Sequence, residues 1–289
     1  MGADRPEWEP RSLTGPPFLP GWWDRLSSPA VAIAALPYVN WIFWAALAAG
    51  SLLVVGIIEL LGGTTRGYRL FMAGTVAACA AVLLISELNL PSGVPAARTA
   101  DIRRSLVWVF SATTLVYLVA SIANWPRAGL AVLAGLIGLA AMVTLAVAGG
   151  SASGGLFAVQ LVLVALALGS VAAAMLLGHW YLVTPSLSPR PLRRMVWLLI
   201  AALVAQALTF GVAVATVPGE ALSGPMGWLT WLRLLVGVLL PIGIAFLAIL
   251  ASRAASLQAS TGLLYIGLAL VMAGSIAGAS ITYLTGVPV

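Results

Sequence analysis

The chain has no lysine, a single histidine (His179) and a single cysteine (Cys79), and only 8% of its 289 residues are charged. Each scarcity excludes something. Soluble domains carry about a quarter charged residues, so 22 charges cannot cover a water-facing surface of this size. A soluble enzyme, a nucleic-acid binder and a disordered chain are excluded on that ground. One cysteine forms no intrachain disulfide and has no CxxC partner for metal or redox chemistry. One histidine cannot supply both axial ligands of a bis-His haem. Nor does the chain contain GxSxG, HExxH, a phosphate-binding or a dinucleotide-binding glycine pattern. No catalytic residue and no metal ligand set is assigned from the sequence.

What is abundant is apolar: 62% of residues are hydrophobic. A membrane-spanning helix needs about 20 mostly apolar residues. Eight runs qualify, near 38–61, 67–89, 105–125, 128–148, 156–180, 195–217, 227–251 and 261–284. Gly62-Gly63, Pro91-Ser92-Gly93, Asn124-Trp125-Pro126, Gly149 to Gly155, the prolines 185, 189 and 191, and Pro218-Gly219 break them. Alternating strand patterns are missing. The fold class expected is therefore all-α: a multi-pass membrane protein of eight transmembrane helices.

Residues 1–28 lack the apolar core of a signal peptide and are rich in proline, with Trp22 and Trp23 near their end. They read as an extended arm, and 29–37 as either an interfacial piece or an extension of the first helix. Residues 1–37 thus form one region and 38–289 the transmembrane domain. Its two halves, 38–150 and 156–289, are loosely alike: Ala48-Ala49-Gly50-Ser51 resembles Ala167-Leu168-Gly169-Ser170, and Arg127 and Arg253 hold matching places. A duplication of two four-helix bundles and chance similarity between Ala/Gly/Leu-rich helices both account for this. The loops after helices 1, 3, 5 and 7 carry Arg66, Arg69, Arg127, Arg190, Arg193, Arg194 and Arg253, which favours a cytoplasmic position for them; Arg98, Arg103 and Arg104 argue the other way.

Gly274 and Gly278 form GxxxG, and Ala46 with Gly50 has the same spacing, so close helix crossings are expected there. Pro241, midway through helix 7, predicts a kink with freed carbonyls.

Ionisable groups in hydrocarbon are costly, so the few present are candidates for function. Asn40, Glu87 and Arg233 lie towards one side of the membrane, and could line a pocket for a quinone head or an anionic ligand. The alternative is that Arg233 snorkels to the headgroups beside Trp228 and Trp231. Glu59, His179 and Tyr181 lie towards the other side, where they could relay protons to a quinone; alternatively, Tyr181 belongs to an aromatic belt and His179 caps a helix end.

Two segments resemble a known family. Asn40-Trp41-Ile42-Phe43-Trp44 followed by Ala45 to Ser51 is similar to the first helix of NrfD/polysulfide-reductase-type membrane subunits. Leu84-Ile85-Ser86-Glu87-Leu88-Asn89-Leu90-Pro91 is similar to the end of that family's second helix, with Glu87 in place of an Asp and without the Gly-Arg that usually precedes the proline. The resemblance covers about 50 residues. It implies a membrane subunit that binds no cofactor of its own, takes a quinone as substrate with Asn40 in the quinone region, and anchors an iron–sulfur or haem partner. Such a subunit belongs to an oxidoreductase complex of the bacterial inner membrane. A small-molecule or ion transporter, and a non-catalytic scaffold or assembly factor, are the other functions considered. Besides such a partner subunit, the only partner expected is the lipid bilayer; no nucleic acid is.

Overall fold

The computed structural model describes residues 29–90, 99–148, 154–183, 187–216 and 227–285. The N-terminal arm 1–28 and most of the glycine-rich 149–155 connection lie outside the described residues. Among the described residues eight helices follow one another: α1 Pro29–Leu60, α2 Arg66–Leu88, α3 Ala100–Ile122, α4 Ala128–Ala148, α5 Gly154–Val183, α6 Arg190–Thr216, α7 Gly227–Arg253 and α8 Leu257–Thr285. All eight are long and apolar enough to cross a membrane. The protein is an integral, multi-pass, all-α membrane protein.

The helix ends follow from local chemistry. Gly62 and Gly63 adopt φ of 74° and 104°, a left-handed turn that stops α1. Thr65 then opens α2 by accepting the Tyr68 backbone N–H on its hydroxyl. Asn124, with φ 57°, and Pro126 end α3.

Residues 29–37 take the second of their two readings and continue α1, with Pro37 inside the helix. Three boundaries differ from those expected: α3, α6 and α8 begin about a turn earlier than the apolar runs, at Ala100, Arg190 and Leu257. Arginines lower local hydropathy without interrupting the helical backbone. Arg103 and Arg104 therefore belong to the first turns of α3 rather than to a loop.

α7 shows a further departure. Instead of a simple proline kink it contains a π-helical turn at Leu235–Leu239, closed by the Leu240 N–H on the Leu235 carbonyl, with Pro241 immediately after. A proline ring clashes with the carbonyl four residues earlier, and widening the preceding turn relieves that clash.

α1 and α5 form the centre, each with 78% of its apolar window buried, against 33–50% for the others. α1 packs on α2, α4, α5 and α8; α5 packs on α6, α8, α1 and α4. α2 also packs on α3, α3 on α4, α6 on α7 and α7 on α8. Exchanging helices 1–4 for 5–8 leaves this pattern of neighbours unchanged. At the central crossing the two similar segments meet each other. A Cβ on Gly50 would collide with the backbone of Ala165, and one on Gly169 with the backbone of Gly50 and Ser51. α7 and α8 make a comparable crossing at Gly237 and Gly274.

Candidate functional site

Helix order fixes which end of each helix shares a side. The ends holding Glu59, Arg127, His179 and Tyr181 share one side; those holding Asn40, Glu87, Gln160 and Arg233 share the other.

On the Glu87 side, Glu87 is fully buried and forms a two-pronged ion pair with Arg103: Nε lies 3.0 Å from Oε2 and Nη2 3.1 Å from Oε1. The Arg103 guanidinium also lies over the Trp41 ring, 5.7 Å from its centre. The adjacent residue, Ser86, accepts the Asn40 amide N–H at 2.8 Å and donates its own hydroxyl to the Val82 carbonyl. Asn40 Oδ1 in turn accepts the Trp44 indole N–H at 2.9 Å. One amide N–H of Asn40 has no acceptor among the described residues, and the buried Trp41 indole N–H has none either. Asn40 faces an open groove of about 650 Å³, otherwise lined by Leu36, Pro37, Val39, Phe43 and Ile276.

Arg233 lies elsewhere. It is 2% exposed, and its Nη2 donates to Gln206 Oε1 at 2.5 Å, while Gln206 donates to the Leu163 carbonyl at 2.9 Å. Its Nε has no partner among the described residues. Nearby, Gln160 reaches Thr209 at 3.5 Å beside a crevice of about 20 Å³, room for one water. The expected cluster of Asn40, Glu87 and Arg233 is therefore two clusters. Asn40 and Glu87 sit among α1, α2 and α3; Arg233 sits with α6 and α8. No hydrogen bond or ion pair among the described residues joins Arg233 to the others. The snorkelling alternative is also corrected: Trp228 and Trp231 are exposed on α7, but the Arg233 guanidinium turns inward to an amide.

On the other side, Glu59 accepts the Tyr117 hydroxyl at 2.8 Å and pairs with Arg127 at 3.5 Å. His179 is exposed within the last turn of α5, 3.4 Å from the Tyr265 hydroxyl. Tyr181 is buried and donates to the Ser188 carbonyl at 2.7 Å, tying α5 to the start of α6. The three have separate partners, and no hydrogen bond among the described residues links them into a relay. Arg66, at the start of α2, and Arg194, in the first turns of α6, donate to the carbonyls of Ile122 and Leu61, so these arginines, expected in loops, lie in helices and fasten the ends of α3 and α1.

Arg103 is the residue sequence reasoning missed. A signal was present: Glu87 and Arg103 stand at facing ends of consecutive antiparallel helices. Arg127, taken only as a loop anchor, is likewise the partner of Glu59.

Comparisons with protein-family models, with curated proteins and with solved structures find no match for this chain.

Proposed function

We propose that the chain is a quinone-interacting membrane subunit that anchors an electron-transfer partner. The observation that carries this reading is the Asn40 groove. It opens on the outer surface of the helix bundle, its volume is that of a small-molecule site, and its walls are apolar save for one amide. A quinone is an apolar tail with two carbonyl acceptors. The unused Asn40 N–H can donate to one carbonyl while Phe43, Leu36 and Ile276 cover the tail. Ser86 and Trp44 fix the amide's orientation from behind. The Glu87–Arg103 pair is next to Ser86 in sequence and is the nearest ionisable group to the groove along α2, a place from which a proton can be exchanged on quinone reduction.

The iron–sulfur or haem partner, and a place in the bacterial inner membrane, follow from the resemblance of α1 and the end of α2 to NrfD/polysulfide-reductase-type subunits. Electrons reach the quinone from that partner. The test is quinone-analogue binding to the purified protein in lipid nanodiscs. Asn40→Leu is expected to weaken binding about tenfold, the value of one lost hydrogen bond of about 1.4 kcal/mol. Unchanged affinity in Asn40→Leu overturns the reading.

A second reading, a transporter, is favoured by the matched neighbours of the two halves and by the interrupted helix α7. It predicts solute flux in liposomes holding this chain alone, which the quinone reading does not.

A further inference from the structure

We propose that Arg233 and Gln206 form a binding site for a phosphate-type oxyanion, which takes the place that Glu87 holds in the first half of the bundle. The argument starts from the correspondence of the halves and does not rest on the quinone reading. The sequence offset that relates Gly50 to Gly169 also relates Glu87 to Gln206. Both residues lie on the second helix of their half, and each bonds an arginine near the start of the third: Arg103 on α3, Arg233 on α7. Each half also has a polar pair joining its first and second helices on this side, Asn40 with Ser86 and Gln160 with Thr209, although these do not share the same sequence offset.

The two places differ in charge. In the first, a carboxylate meets the guanidinium through two oxygens and neutralises it. In the second, a neutral amide offers one oxygen, and the Nε of a guanidinium that is 2% exposed has no partner among the described residues. Of the three described carboxylates, Glu59 is paired with Arg127, Glu87 with Arg103, and Asp101 is exposed on α3. A cation in that state attracts an anion strongly, because the surroundings screen it little. The planar, forked donor set of arginine suits a phosphate or similar oxyanion. The residue is six positions into α7, about 9 Å from the helix start, within reach of a lipid headgroup or an aqueous ion. Gly237, one turn further along α7, packs backbone to backbone against Gly274 of α8, and a Cβ there would lie 3.3 Å from Arg233 Nη1, so the guanidinium sits beside this close crossing.

The experiment uses the full chain. Thermal unfolding is followed by tryptophan fluorescence in neutral detergent over a titration of inorganic phosphate, with sodium chloride holding ionic strength constant. In parallel, it is followed in phosphatidylcholine nanodiscs with and without phosphatidylglycerol. The wild type is expected to be stabilised in at least one arm; the phosphate arm identifies a free ion and the phosphatidylglycerol arm a headgroup phosphodiester. Gln206→Glu, which copies the first half, is expected to be more stable without anion and to bind at least about tenfold more weakly in the responding arm. Arg233→Gln is expected to lose the response. Because Arg233→Gln could fail to fold, Gln206→Glu carries the test alone if needed. A wild type insensitive in both arms, or a Gln206→Glu response equal to that of the wild type, overturns the proposal.

Discussion

Removing the Glu87 carboxylate tests the buried pair most sharply. Both side chains are almost completely buried, 5% exposed for Arg103 and 0% for Glu87, and the contact is two-pronged at 3.0 and 3.1 Å. Deleting one partner of such a pair strands the other charge and costs about 3–5 kcal/mol. Glu87→Leu is expected in that range, a shift of about two to three and a half decades in the unfolding equilibrium. Glu87→Gln keeps one acceptor oxygen, as Gln206 does for Arg233, and is expected to cost less, about 2–3 kcal/mol. Replacing both residues, Glu87→Leu with Arg103→Leu, leaves no stranded charge and is expected to recover at least half of the loss. The assay is reversible unfolding in mixed micelles, read by tryptophan fluorescence. Additive single and double variants, or a Glu87→Leu cost under about 0.5 kcal/mol, would refute the coupling.

Other outcomes follow from the same contacts. Gly169→Leu forces a side chain into the backbone of Gly50 and should cost about 3 kcal/mol or more, whereas Gly74→Ala, with open space around it, should change stability by under about 1 kcal/mol; the same unfolding assay reads both. Tyr117→Phe removes the hydroxyl bonded to Glu59 and is expected to cost about 1–3 kcal/mol by that assay. His179→Ala, at an exposed site with a 3.4 Å contact, should stay within about 0.5 kcal/mol, and a larger loss would restore a structural role for His179.

The eight helices were legible because hydropathy reports burial in lipid directly. Their edges at α3 and α6 were not, because Arg103 and Arg190 look like loop residues by hydropathy while the backbone stays helical around them. The match between Ala48-Ala49-Gly50-Ser51 and Ala167-Leu168-Gly169-Ser170 was visible, but not that the two segments would meet at the centre. Helix rotation was the hardest to read. α5 is apolar nearly all round, and Gln160 and Gln206 carry no charge to mark the face they share with Thr209 and Arg233. Side could be assigned to Asn40, Glu87 and Arg233 by counting crossings. Their separation into two clusters depended on which helices became neighbours, and crossings do not contain that.

Photolabelling by an azido-quinone in nanodiscs, followed by peptide mapping, addresses the proposed function at its root. The Asn40 groove predicts saturable labelling within 36–43 of α1 or around Ile276 of α8, competed by unlabelled quinone and reduced in Asn40→Leu. Labelling confined to other helices, or labelling that unlabelled quinone does not compete, would contradict it.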